Sequence, residues 1–142
     1  MFSPSFLEGQ RLLVEDCPII NLEEDDPELM ELMFRILHYQ GSPQEYVMDA
    51  EKLARLSLQC DKYQCTRALG PWVTTWLRNV VRRDDSARTV GFQILAAYTF
   101  GDLLEFRSIS RTATLQLRLS FVTAWDEDNL LAILPPSVSG KP

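Results

Sequence analysis

The stretch Asp25-Asp26-Pro27-Glu28-Leu29-Met30-Glu31-Leu32-Met33-Phe34-Arg35-Ile36-Leu37-His38-Tyr39-Gln40-Gly41 decides the fold class of this chain. Carboxylates precede a proline, whose missing N–H is not needed in the first helical turn, and negative charge there complements the helix dipole. Leu29, Met30, Met33, Phe34, Ile36 and Leu37 then recur at three- and four-residue spacing, until Gly41-Ser42-Pro43 stops the pattern. The prediction is a helix from Pro27 with a broad apolar face that includes Phe34.

Working outward, the same periodicity returns twice downstream. Asp49 is placed to cap a helix carrying Leu53, Leu56, Ser57 and Cys60 and ending near Lys62. Leu69, Trp72, Val73, Trp76, Leu77 and Val80 form the cleanest stripe, with Gly70-Pro71 expected to break or restart the helix at its beginning. Three such stripes must be buried, and the three helices are expected to pack on one another. Trp72 and Trp76 share a face, and large aromatics at helical spacing belong to a core before they belong to a peptide grip.

After Arg83-Asp84-Asp85-Ser86, two further patterns (Ile94, Leu95, Tyr98 and Leu103, Phe106, Ile109) flank Gly101-Asp102 and predict a helical hairpin. Strands are expected at Ile19-Ile20-Asn21-Leu22, with Leu12-Leu13-Val14 in front of a turn, and as a short edge at Tyr46-Val47-Met48. Leu115, Leu117, Leu119 and Phe121 alternate with polar residues, which by pattern favours another strand. Asp126-Glu127-Asp128 is a candidate start for a last helix through Leu134, and Pro135-Pro136 is expected to end ordered structure. The fold class is therefore mostly α, of the α+β kind, with one or two short strands.

Composition bounds the function. The 142 residues, 46% hydrophobic, suffice for one core, and a net charge of -6 argues against nucleic acid, which binds clustered Lys and Arg. The one basic cluster, Arg78, Arg82, Arg83 and Arg88, stands beside Asp84 and Asp85 and reads as a solvated helix end. Cys17, Cys60 and Cys65 have no zinc-ligand spacing, and their odd, sparse count does not fit a secreted disulfide scaffold. No apolar run is long enough to span a bilayer. His38, at a helix end, has no visible partner motif, and Cys60 lies on an apolar stripe, so neither points to catalysis. No phosphate loop, nucleophile elbow or metal motif is present. The expectation is no enzyme, no metal and no cofactor, in an intracellular protein of cytoplasm or nucleus that binds neither nucleic acid nor membrane.

The order of these elements resembles the BTB/POZ domain of fungal-type proteins. Met1-Phe2 with Phe6 and Glu8, the strand Ile19-Ile20-Asn21-Leu22, and the quoted helix closing on Tyr39-Gln40-Gly41 are similar to that family's pattern. So are Leu53-Ala54-Arg55-Leu56 through Cys60-Asp61-Lys62-Tyr63. Leu95-Ala96-Ala97-Tyr98-Thr99-Phe100-Gly101-Asp102 with Phe106 looks like the helical segment that follows the domain. The resemblance covers the C-terminal part of a BTB/POZ domain over residues 1–83, a helical extension over 84–134 and a disordered tail over 135–142.

It implies an interaction adaptor, in many relatives one that joins substrates to a cullin-type ubiquitin ligase, with Phe6, Leu7 and Glu8 matching the family's hydrophobic-x-acidic contact motif. A BTB-type transcriptional or chromatin regulator is the alternative, weakened by the lack of a zinc finger or basic segment. A non-functional fragment of a longer BTB protein is a further reading. The family normally places a hairpin, a strand and two helices before the Met1-Phe2 position. The opening Met1-Phe2-Ser3-Pro4-Ser5-Phe6-Leu7-Glu8 accordingly reads as the middle of a domain, and Phe2, Phe6, Leu12 and Leu13 are expected to form an uncovered apolar patch that favours self-association.

Overall fold

The computed structural model describes residues 7–11, 13, 14, 17, 19, 21, 22, 24–41, 47–80, 86–117 and 121–139. Within them the chain is mostly helical: α1 (Leu7–Arg11), α2 (Pro27–Leu37), α3 (Ala50–Lys62), α4 (Gly70–Asn79), α5 (Ala87–Phe100), α6 (Leu103–Gln116), α7 (Phe121–Asp126), a 3-10 turn (Leu131–Ile133) and α8 (Pro136–Ser139).

Side-chain caps explain where four of these helices begin. The Asp26 carboxylate accepts from the backbone N–H groups of Glu28 (2.9 Å) and Leu29 (3.3 Å), and Asp49 accepts from Lys52 at 2.8 Å. Ser86 does the same for α5 through Thr89, and Asp102 for α6 through Glu105. Each such cap stabilises its helix by about 1 kcal/mol, because it satisfies a donor that has no intrahelical partner. At the α5–α6 joint Gly101 takes φ +74°, a left-handed conformation that glycine adopts without a Cβ penalty, so one Gly-Asp pair both ends a helix and starts the next. Gly70-Pro71 opens α4 without breaking it, since proline sits in the first turn, and Leu69 before it is fully buried.

The centre of the molecule is α5. Every residue from Val90 to Ala97 is buried, so this helix is covered around its whole circumference. It packs most extensively on α3, and α6, α7, α4 and the 3-10 turn cover its remaining sides, while α2 packs on α3. Among the described residues the buried side chains of α2 to α6 form one cluster, in which α3 and α5 make the largest contact. The expected mutual packing of the first three amphipathic helices holds for α2 and α3; α4 reaches the core mainly through α5 and α6. Gly91 sets how closely α7 approaches: a Cβ there would lie 2.7 Å from Leu131 Cδ1 and 2.7 Å from Trp125 Nε1. Glycine thus lets the Trp125 indole lie on α5, where its N–H donates to the Ala87 carbonyl at 2.7 Å.

The described residues hold no sheet. Ile19, Asn21 and Leu22 lie in neither strand nor helix, and Ile20 is outside the described residues, as is Leu12. A strand needs a partner ladder, and among the described residues this apolar pattern has none to pair with. Val47 and Met48 form no edge strand either, with only a single bridge residue at Asp49, and Tyr46 is outside the described residues. The period-two reading of Leu115 to Phe121 is overturned where it can be seen. Leu115 lies in the last turn of α6, Leu117 caps its end and Phe121 starts α7, while Leu119 is outside the described residues. Ile109 and Ala113 are buried along α6 and keep the helix going, so the alternation spans a helix boundary instead of one element.

Asp126 ends a helix rather than starting one, and Asp128 caps the 3-10 turn through Leu130 and Leu131. Past Pro135-Pro136 order continues to Ser139, which is buried at the end of α8. Residues 140–142 are outside the described residues.

Candidate interaction surface

The functional residues expected from sequence are placed unevenly. Phe6 is outside the described residues, and Leu7 and Glu8 open α1, which is tied to the following loop by Arg11 Nη1 donating to the Ile19 carbonyl at 3.4 Å. Of the apolar patch expected near the N-terminus, Leu13 is exposed, as are Val14 and Ile19. Phe2 and Phe6 lie outside the described residues, as Leu12 does.

A recess lies on the outer side of α2. It is an open groove of about 540 Å³ with an apolar floor of Leu22, Pro27, Met30 and Phe34 and a polar rim of Asp25, Glu31, Arg35, His38 and Gln40. Phe34 is 48% exposed, which corrects its assignment to the core. The buried side of α2 is centred on Leu29, Met33 and Ile36, and Phe34 stands about a third of a turn away from that centre by helical geometry. That wheel position was the signal in the sequence, and reading every apolar residue as core obscured it.

What fixes the groove is a clamp at its end. The Asp25 side chain, 4% exposed, accepts from the Tyr63 hydroxyl in a short hydrogen bond and from Lys62 Nζ at 3.0 Å. Burial alone would raise the Asp25 pKa, but the Tyr63 and Lys62 hydrogen bonds and the Lys62 charge outweigh it and hold the carboxyl below its ordinary value. Burial first, and then the hydrogen bond to Asp25 and its negative charge, push the Tyr63 hydroxyl up to about 12. The Lys62-Tyr63 pair at the end of α3 thus anchors the segment that leads into α2. Lys52 Nζ adds a second tie to Glu28 at 3.3 Å.

Both α2 and α3 end the same way, with a non-glycine residue in the left-handed region. Tyr39 has φ 58° and Gln64 φ 54°, and the next backbone N–H folds back onto the helix: Gln40 to Arg35 O at 2.8 Å, Cys65 to Cys60 O at 2.9 Å. The helix therefore stops at Leu37, before the Gly41 signal, and the turn leaves Tyr39 fully in solvent beside the groove. His38 is the exposed C-cap, its backbone N–H bonded to Phe34 O.

The groove suits apolar side chains better than chemistry. On its rim Glu31 meets Arg35 at 3.7 Å in an exposed pair that spans a single turn, worth a few tenths of a kcal/mol. Cys60 and Cys65 sit away from the groove's lining. Cys60 is fully buried, Cys65 lies with its Sγ 3.3 Å from Met33 Sδ, and burial raises both pKa values, disfavouring the thiolate. Among the described residues no group of three His, Cys, Asp or Glu side chains could hold a metal ion, and no helix is long and apolar enough to cross a membrane.

The arginines read as a solvated helix end have distant partners. Arg78 pairs with Glu105 at 2.7 Å and Arg88 with Asp128 at 2.6 Å, contacts that bind α4 to α6 and α5 to the turn after α7. Arg82, Arg83, Asp84 and Asp85 are outside the described residues. Comparison of the chain with protein-family profiles, with curated proteins and with solved structures finds no match.

Proposed function

We propose that this chain is a protein-interaction module, intracellular and non-enzymatic, acting as a BTB/POZ-type adaptor for a cullin scaffold. The observation that carries the reading is the open groove on α2, with Phe34 half-exposed on a helix whose opposite side is fully packed. An exposed large aromatic in a shaped, mostly apolar recess is what a docking surface presents to a partner's side chains. The sequence resemblance supports the choice of partner. It rests on the helix from Pro27 closing at Tyr39-Gln40-Gly41 and on Asp61-Lys62-Tyr63, whose last two residues clamp Asp25. The resemblance also assigns partner contact to Phe6, Leu7 and Glu8.

Isothermal titration of the purified chain with the N-terminal domain of a cullin tests this. A saturable complex that Phe34→Ser weakens, while the variant melts with the parent, is the expected result. Absence of a complex, or binding indifferent to Phe34, rejects the adaptor reading.

A further inference from the structure

A second surface, on α6, has a different chemistry. Its buried side is formed by Phe106, Ile109 and Ala113. Directly opposite, Leu104, Ser108, Arg111 and Leu115 follow one another at four-, three- and four-residue spacing, with Arg107 beside them, so they share one line along the helix. Leu104 is 73% exposed and Leu115 78%, each with no cover from the rest of the fold.

Arg107 and Arg111 are exposed, and neither enters an ion pair among the described residues. Elsewhere the basic side chains are mostly used internally: Arg35, Lys52, Arg55, Lys62, Arg78 and Arg88 each meet a carboxylate. Two free guanidinium groups one turn apart, framed by two leucines, therefore stand out on a chain whose net charge is -6.

We propose that the outer side of α6 docks an acidic amphipathic helix of a partner protein, whose carboxylates meet Arg107 and Arg111 and whose apolar residues cover Leu104 and Leu115. Charge complementarity selects this occupant. Guanidinium groups pair with carboxylates through directed hydrogen bonds, and the flanking leucines supply apolar area about 16 Å apart, a span that a three-turn helix matches. The surface is separate from the α2 groove and does not depend on its reading.

The test uses two synthetic helical peptides, one with leucines eleven positions apart and two glutamates between them, the other with lysines in place of the glutamates. The full chain should bind the glutamate peptide saturably, lose affinity as salt rises, and show amide resonance changes over residues 103–116. The lysine peptide should not bind. A double variant, Arg107→Glu with Arg111→Glu, removes no ion pair among the described residues and should keep the parent's melting temperature. It should bind the glutamate peptide at least about fivefold more weakly, as the loss of two exposed charge pairs implies, and should accept the lysine peptide. Leu104→Ser should also weaken the glutamate peptide.

The proposal is overturned if the glutamate peptide fails to bind, or if it binds the double variant as it binds the parent. It is also overturned if the parent instead uses residues 103–116 to associate with a second copy of itself or with anionic vesicles.

Discussion

Helices α2 and α3 are built alike and end up unalike. Each starts at an aspartate cap, each carries an apolar stripe, and each closes on a residue in the left-handed region. In α3 the whole stripe of Leu53, Leu56, Ser57 and Cys60 is sealed, because α2 packs on one side and α5 on another. In α2 the inner residues are equally sealed, but Phe34 stays half in solvent. The stripe of α3 is covered from two sides, whereas α2 packs on α3 with its inner side and leaves Phe34 on the outer one. Apolar residues of one helix thus differ in burial according to their angular position.

The largest effects should fall on the core side of that comparison. Leu56→Ala empties a fully buried site on α3 and should cost about 2–5 kcal/mol, enough to unfold a marginal domain; Trp76→Ala should cost about 3–5 kcal/mol. Trp76 also sharpens the point, because its buried indole N–H has no hydrogen-bond partner. Trp76→Phe removes that orphan donor while keeping most of the ring, so urea unfolding should place it far nearer the parent than Trp76→Ala.

Next comes the close approach on α5. Gly91→Ala gains helix propensity but forces the Trp125 ring and Leu131 to move, and overpacking of this kind costs about 1–3 kcal/mol, so a lower melting temperature is expected. An unchanged or higher melting temperature would mean that α7 yields freely.

The clamp at the groove should matter less than the core and more than the rim. Asp25→Ala leaves the Tyr63 hydroxyl and Lys62 without their acceptor and should cost about 1–3 kcal/mol. It should also reshape the pH dependence. The Asp25 carboxyl is held below its ordinary 3.8, so its contribution is present above that pH and is lost as pH falls through the depressed value. Tyr63 is raised from 10.0 to about 12, so its contribution is present below pH 10.0 and is lost as pH rises toward 12. Chemical denaturation across pH should show both limbs in the parent. Asp25→Ala should make both limbs shallower without abolishing either: burial of Tyr63 keeps part of the alkaline limb, and the remaining acid limb comes from Asp102 and Asp128, whose carboxyls are likewise lowered.

The smallest stability effect belongs to Phe34→Ser, about 1 kcal/mol or less for a half-exposed site. A loss comparable to that of Leu56→Ala in the same denaturation experiment would return Phe34 to the core and erase the contrast between the two helices.

The sequence made the helices legible because their signals are local. Asp26 with Pro27, Asp49 and Gly101-Asp102 mark termini through hydrogen bonds made within three residues, and the stripes of α3 and α4 follow from the helical period alone. What depended on distant partners was not legible. The strands expected at Ile19 to Leu22 and at Leu115 to Phe121 need a pairing neighbour that a pattern cannot supply. The central position of α5 shows only as an all-round apolar helix, and Gly91 gains its meaning from Trp125, more than thirty residues away. The groove was hidden for a related reason: Phe34 belongs to the apolar pattern, yet its exposure depends on what α3 and the Asp25 clamp leave uncovered. The expected contact residues Phe6, Leu7 and Glu8 come from family resemblance, and the structure adds only that the last two open a short helix.

The central claim is that α2 divides its two sides between stability and recognition. Amide hydrogen exchange of the full chain, alone and with the cullin N-terminal domain in excess, tests it most directly. The account predicts added protection across Pro27 to Gln40, with α3 unchanged because it is already sealed. Protection that leaves α2 as it was, or no complex at all, would contradict it.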